Sequence, residues 1–251
     1  EPHIERGATV FAGVDYAAVL DEAQRDVQVI VWDGGNNDFP FVRPDLHIVL
    51  LDPMRAGHEA THHPGEAVLR MADIALIAKS DTATPAQIGQ LVDSVRELNP
   101  RARILRGASP VTLEAAATLA GKRVLVIEDG PTLTHGDMPH GAGWRAATDA
   151  GAVIVDPRPW AGPELRATYH CHPHIGPVLP ALGYYAAQIE ALRDCIDACD
   201  ADAVVSGTPI DLAALLRVNK PVLRARYEFA DVQSPGLAGA LREFLREQRL
   251  A

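Results

Sequence analysis

Short aliphatic runs recur along the chain, each closing on a polar or turn residue, and between them lie segments whose apolar positions fall three and four apart. The runs at 27–33, 47–52, 74–78, 102–105, 123–128, 152–156, 203–207 and 221–226 have the length and composition of buried strands. Helical spacing is clearest in TPAQIGQLVDSVREL, 84–98. Thr84 is placed to cap, Pro85 to fill the first turn and Gln87 to complete a capping box, while Ile88, Leu91, Val92, Val95 and Leu98 make one apolar stripe. Further helices are expected at 16–25, 111–119, 185–199, 211–217 and 235–247. Alternation of this kind predicts an α/β protein, a mostly parallel sheet covered by helices on both faces. The strand-then-loop pattern restarts at AGKRVLVIEDG, which divides the chain into 1–120 and a carboxyl-terminal α/β domain at 121–251. No internal repeat and no low-complexity linker marks the division.

Composition narrows the class. With 251 residues, 47% hydrophobic and 22% charged, the chain can bury a substantial core. A net charge of -10 argues against wrapping a nucleic acid backbone and leaves local basic pockets free to hold phosphates. Three cysteines, an odd number in a long chain, make a disulfide framework unexpected and favour a reducing compartment. No run approaches the roughly 18 apolar residues of a membrane span, and no signal segment opens the chain. A cytoplasmic protein with small-molecule partners, neither nucleic acid nor membrane, is therefore expected; homo-oligomerisation is left open. The chain opens on Glu1 rather than methionine, in a segment that reads as the middle of something, so a processed chain or a fragment has to be considered.

The first chemistry lies in VIVWDGGNNDFPF, 29–41. An aliphatic run ending in Asp33 and Gly34 resembles the Walker B element of P-loop nucleotidases, in which the carboxylate holds Mg²⁺ and glycine lets backbone approach the γ-phosphate. The competing reading of Asp33 is a cap at a strand end. Further on, LIAKSDTAT sends another strand into Lys79 and Asp81, resembling the NKxD element that recognises a purine base, with Ala78 where Asn is expected. That departure disfavours GTP and leaves ATP preferred. No G-x-x-x-x-G-K-[ST] phosphate cradle occurs; TLAGKR lacks the first glycine and the hydroxyl. The cradle is expected upstream of Glu1, in an amino-terminal region of the same protein.

A longer set of strings carries a more specific resemblance: FAGVDYAAVL, WDGGNNDFPF, PDLHIVLLDPMRAGHE, VLVIEDGPTLTHGDMPHGAG, PHIGPVLPALGY, VVSGTPIDL and NKPVLRARYE. The chain resembles the carboxyl-terminal portion of the cyclic 2,3-diphosphoglycerate synthetases, P-loop GTPase relatives, essentially end to end. The resemblance implies that 1–120 is the second half of a P-loop nucleotidase-like domain. It further implies ATP-dependent closure of 2,3-bisphosphoglycerate, a phosphorylated small molecule, to its cyclic pyrophosphate. On that footing Asp33 holds the metal and Gly34 and Gly35 lie near the γ-phosphate. Asn36, Asn37 and Asp38 line the reaction centre, unless Asn36 and Asn37 only make a turn with their own backbone.

A second cluster lies at 127–143, IEDGPTLTHGDMPHGAG. Glu128 and Asp129 end a strand, Thr132, Thr134 and His135 offer hydroxyl and imidazole groups, and the small residues 141–143 lead into a helix suited to an anion. Gly207 and Thr208 repeat the arrangement in SGTPIDL. Arg158, Arg224 and Arg226 are the basic partners a bisphosphate needs; surface arginines and a loop glycine are the plain alternative. HCHPH, 170–174, has the residues of a metal site without a clear partner set and is read as a loop over the active site. Cys195 and Cys199, four apart on a helix, are read as core. Two further readings stand beside the cyclase: a GTPase-like nucleotide switch or another phosphoryl-transfer enzyme, and an inactive scaffold.

Overall fold

The computed structural model describes residues 2–25, 27–34, 39–183, 185–210 and 212–250. It divides into two compact units, one of residues 1–109 with 229–251 and one of 110–228. The last helix thus belongs with the first unit, a return that differs from the expected division at residue 120.

In the first unit, β1 (Ile48–Leu51), β2 (Ile74–Ile77) and β3 (Arg103–Ala108) run parallel in that spatial order. β10 (Ala230–Asp231) pairs antiparallel with β3. Every residue of β2 is buried, as a strand covered on both faces requires. One face packs Ala75 and Ile77 against Leu69 of α2 (Gly65–Met71) and Leu91 and Val95 of α3 (Pro85–Leu98). The other packs Ile74, Leu76 and Leu105 against Ala240 of α7 (Leu237–Glu247). Helix α3 begins with the expected capping box: the Gln87 nitrogen donates to Thr84 Oγ1 at 3.3 Å, and the Thr84 nitrogen donates to Gln87 Oε1 at 2.9 Å. The buried Asn99 amide donates to the carbonyls of Leu69 and Ala72, closing the end of α2. An earlier helix, α1 (Tyr16–Ala23), is capped by Asp15, whose carboxylate accepts from the Ala18 nitrogen.

The second unit holds β4 (Val111–Leu113), β5 (Arg123–Asp129), β6 (Val153–Ile154), β8 (Ala203–Ser206) and β9 (Val222–Tyr227) in the order β4-β9-β8-β5-β6. β7 (Leu179–Ala181) pairs with the later residues of β5. All pair in parallel except β4 with β9. Alternation along β5 sorts its side chains. Val124 and Val126 face Ala146 and Ala147 of α4 (Ala142–Asp149). Leu125 and Ile127 face Leu165 of α5 (Pro163–Cys171) and Leu192, Cys195 and Ile196 of α6 (Ala186–Ala198). Cys195 and Cys199 are buried in that core.

Two expected elements differ. Residues 111–119, expected as a helix, form β4 followed by a single 3₁₀ turn, because Val111 and Leu113 find antiparallel partners on β9. Residues 27–33, expected as a central strand, join no strand pairing among the described residues, and the side chains of 27–32 other than Gln28 form an exposed apolar run.

Candidate functional site

Parallel sheets gather their ligands at the carboxyl ends of their strands, because the loops and helix amino termini lie there. In the first unit this edge carries an ion cluster. Asp52 follows β1, and its carboxylate accepts from the Met54 nitrogen at 3.0 Å, from Lys79 Nζ at 2.8 Å and from the Arg55 guanidinium at 3.2 Å. Burial alone would raise the Asp52 pKa. The hydrogen bond and charge of Lys79, the Met54 N–H and the Arg55 charge outweigh it, and the carboxyl titrates below its ordinary value.

Lys79 follows β2 with a left-handed backbone, φ 50°. Around it the loop is pinned: the Ser80 nitrogen donates to the Gly107 carbonyl at 2.9 Å, and Asp81 accepts from the Ser109 nitrogen at 2.9 Å. The loop therefore bridges the ends of β2 and β3, with one Asp81 oxygen already engaged. Asp33 and Gly34 are exposed, and Asp33 has no hydrogen-bond or ion-pair partner among the described residues. Beside it Trp32 makes an aromatic cluster with Tyr16 and Phe41, at ring separations of 5.1 and 6.4 Å. Gly35, Asn36, Asn37 and Asp38 lie outside the described residues.

In the second unit the connectivity creates a topological switch point. From β5 the chain goes to β6 and β7 along one of its edges, then returns to β8 along the other. The crevice between the carboxyl ends of β5 and β8 is where an open sheet binds its ligand. Glu128 sits there, 1% exposed. Its Oε1 accepts from the Trp144 nitrogen at 2.7 Å and its Oε2 from the Gly143 nitrogen at 3.2 Å, so the start of α4 is filled by the protein's own carboxylate. Burial pushes the Glu128 pKa up, the backbone hydrogen bonds oppose this, and the net direction is upward.

The approach is close enough to demand glycine. A Cβ on Gly207 would lie 2.4 Å from Glu128 Oε2 and 2.6 Å from the Gly143 nitrogen, and one on Gly141 would lie 2.7 Å from Glu128 Oε2. Gly207 donates from its nitrogen to the Ile127 carbonyl at 2.7 Å, and Thr208 is buried with Oγ1 accepting from the Ile210 nitrogen. Glu128, Gly207 and the 141–143 run are thus brought together.

The remaining expected residues divide. Asp129 accepts from Thr132 Oγ1 at 3.3 Å, while Thr134 Oγ1 donates to the Gly130 carbonyl and lies 3.1 Å from His135 Nδ1, one short helical turn after β5. Arg224 lies beside Ser206 in the strand register and donates to the Pro209 carbonyl. Ser206 Oγ is buried without a hydrogen-bond partner among the described residues. Arg226 pairs with Glu114 at 3.3 Å. Arg158 pairs with Asp156, donates to the carbonyls of Ile175 and Gly176, and lies over the Tyr169 ring at 4.9 Å. All three guanidiniums therefore already have partners within this unit. His174 lies 2.8 Å from the Leu133 carbonyl, and among the described residues no three His, Cys, Asp or Glu side chains gather as metal ligands. Sequence reasoning missed Asp52, although LLDP shows the same strand-end acid that singled out Asp33.

No family model matches the chain. It is 48% identical over 247 residues, 98% of its length, to the arginine synthetase ArcE of Thermococcus kodakarensis. The match takes in 55% of that protein, so the chain spans about half the length of the curated relative it matches. The relative bears a synthetase name, as the sequence resemblance implied, with a different product. No helix among the described residues is long and apolar enough to cross a membrane.

Proposed function

We propose that this chain is part of a nucleotide-dependent synthetase of the ligase type whose product is arginine. The observation that carries this reading is the 48% identity, across 98% of the chain, with a protein named as an arginine synthetase. The chemistry is phosphoryl activation. The γ-phosphoryl of ATP passes to a substrate oxygen, a nitrogen nucleophile adds to the carbon bearing that oxygen and gives up a proton, and the oxygen leaves within inorganic phosphate. Neither step needs a protein nucleophile; the protein positions the reactants and neutralises charge.

On this reading Lys79 and Asp81 meet the base of ATP, with Ala78 disfavouring GTP. Mg²⁺ on a nucleotide keeps most of its ligands as phosphate oxygens and water, so one carboxylate suffices, and exposed Asp33 is suited to supply it. Bound there, the ion would neutralise phosphate charge. In the second crevice Glu128 is held by the Gly143 and Trp144 nitrogens, and Arg158, Arg224 and Arg226 are engaged by carbonyls and carboxylates of the fold; Asp129 ends β5 with one carboxylate oxygen on Thr132. Asp129, partly buried, is the carboxylate that suits the nitrogen-rich end of an arginine-like molecule better than a bisphosphate.

Cyclisation of 2,3-bisphosphoglycerate is the second reading, favoured by Arg224 and Arg226 projecting from one face of β9. One assay separates the two. This chain, joined to the part of the relative outside the match, is incubated with Mg·ATP and either the ureido analogue of arginine with ammonium or 2,3-bisphosphoglycerate. Arginine formed with stoichiometric phosphate release is expected. A cyclic pyrophosphate seen by phosphorus NMR, with no arginine, would overturn the first reading.

A further inference from the structure

Thirteen of the twenty-four exposed large apolar side chains among the described residues fall within the first fifty positions, so the uncovered apolar side chains are concentrated in the opening stretch of the chain. Its centre is the run of Val27, Val29, Ile30, Val31 and Trp32; Val31 is 84% exposed. Consecutive large aliphatic residues without polar alternation are the signature of a strand buried on both faces, which requires two neighbours and a covering layer on each side. The described residues supply no strand neighbour for this run, and apart from the Tyr16 and Phe41 rings beside Trp32 its side chains stay exposed. Among the described residues nothing pairs with the outer edge of β1, which carries Leu50 at 57% exposure. An exposed edge and an exposed apolar run of this length are features that soluble domains cover.

We propose that the run at 27–32 is an interaction surface whose occupant is the polypeptide corresponding to the part of the arginine synthetase outside the match. That segment pairs with the run as a strand and covers its apolar side chains. Three observations select this occupant. The relative matched across the run has nearly as much chain again beyond the match, enough for several strands with their helices. The run closes on Asp33 and Gly34, the end at which parallel sheets hold ligands, so the surface adjoins a place where a completed sheet has work to do. A second copy of this chain would serve poorly, because symmetric pairing of two such runs gives each strand one neighbour and leaves its other edge and a face uncovered.

The test compares this chain alone with the same chain joined to the part of the relative outside the match, each as wild type and as Val31→Asp. It reads structure rather than turnover, so failure of the proposed reaction leaves it intact. Joined, the amides at 27–33 should exchange at least 100-fold more slowly than in the chain alone, and Val31→Asp should lower the melting temperature by several degrees. In the chain alone the same substitution should leave melting unchanged. Equal exchange at 27–33 in both proteins, an equally silent Val31→Asp in both, or dimerisation of the chain alone with protection at 27–33 would each overturn the proposal.

Discussion

Lys79 and Asp52 lie 27 positions apart in the chain and meet at 2.8 Å where β1 and β2 end side by side. The strand register makes the meeting possible: Leu51 pairs with Ile77, so the residues that follow each strand emerge on the same edge. The carboxylate also caps the turn at Met54 and accepts from Arg55, so one side chain fixes two loops.

The depressed Asp52 pKa gives this pair a pH signature. Its stabilisation is fully present above the ordinary aspartate value of 3.8 and is lost as pH falls through the lower folded value. Lys79 is 41% exposed at its side chain, so solvent screens the pair, and Asp52→Asn should cost about 1 kcal/mol near neutral pH. Urea unfolding of the two proteins across pH 2 to 7 should show the gap closing only at the acid end. A gap independent of pH would assign the effect to the Met54 cap instead.

Asp33→Asn separates fold from function. The side chain is exposed and unpartnered among the described residues, so melting should move by less than about 1 °C, within the range for neutral surface changes. Affinity for Mg·ATP, measured by calorimetry on this chain joined to the part of the relative outside the match, should drop at least tenfold, while affinity for metal-free ATP changes little. Equal loss for both forms would place Asp33 away from the ion.

Gly89 lies inside α3, and a Cβ there meets nothing within 4 Å. Gly89→Ala should therefore stabilise the chain by about 0.5–1 kcal/mol through reduced unfolded-state entropy and better helix propensity. Chemical denaturation at neutral pH reads this directly, and a loss of stability would mean that the space beside Gly89 is occupied.

How far the sequence disclosed these features follows from how local their causes are. The Thr84–Gln87 capping box spans four residues and was legible, as were strands such as 74–77 and 123–129, whose aliphatic runs suit burial wherever they pair. The helix expected at 111–119 was not: Val111 and Leu113 fit either period, and pairing with Tyr227 and Ala225 decides for strand. Arg158 reads as a free cation until the fold brings the Ile175 and Gly176 carbonyls to it. Asp52 lacked a visible partner because Lys79 arrives through sheet register. The return of 229–251 to the first unit follows from Ala240 packing on Ile74, Leu76 and Leu105, and nothing near residue 229 announces it. At 27–33 the composition favours a buried strand, yet among the described residues nothing pairs with it, since pairing depends on a neighbour that local sequence does not name.

Glu128 and Gly207 give the sharpest test of the second crevice. A methyl group on Gly207 would lie 2.4 Å from Glu128 Oε2 and 2.6 Å from the Gly143 nitrogen; the first is a carboxylate tip pinned by the Gly143 and Trp144 nitrogens and the second is backbone. Gly207→Ala should cost about 1–3 kcal/mol, whereas Gly183→Ala, where nothing lies within 4 Å, should be near neutral. Glu128→Gln tests the same contact from the other side. Its amide would turn a donor toward the N–H of Gly143 or Trp144, leaving a buried donor unsatisfied at a cost of about 1–3 kcal/mol. The wild-type carboxyl adds a pH term of opposite sign to that of Asp52. Because its pKa is raised on folding, the folded state holds the proton more tightly, so stability falls as pH rises from the ordinary value of 4.5 through the higher folded value. The difference in unfolding free energy between wild type and Glu128→Gln should therefore shrink over that interval and level off above it. A difference that grows with pH would show that the hydrogen bonds from α4 outweigh burial and that Glu128 carries its charge throughout.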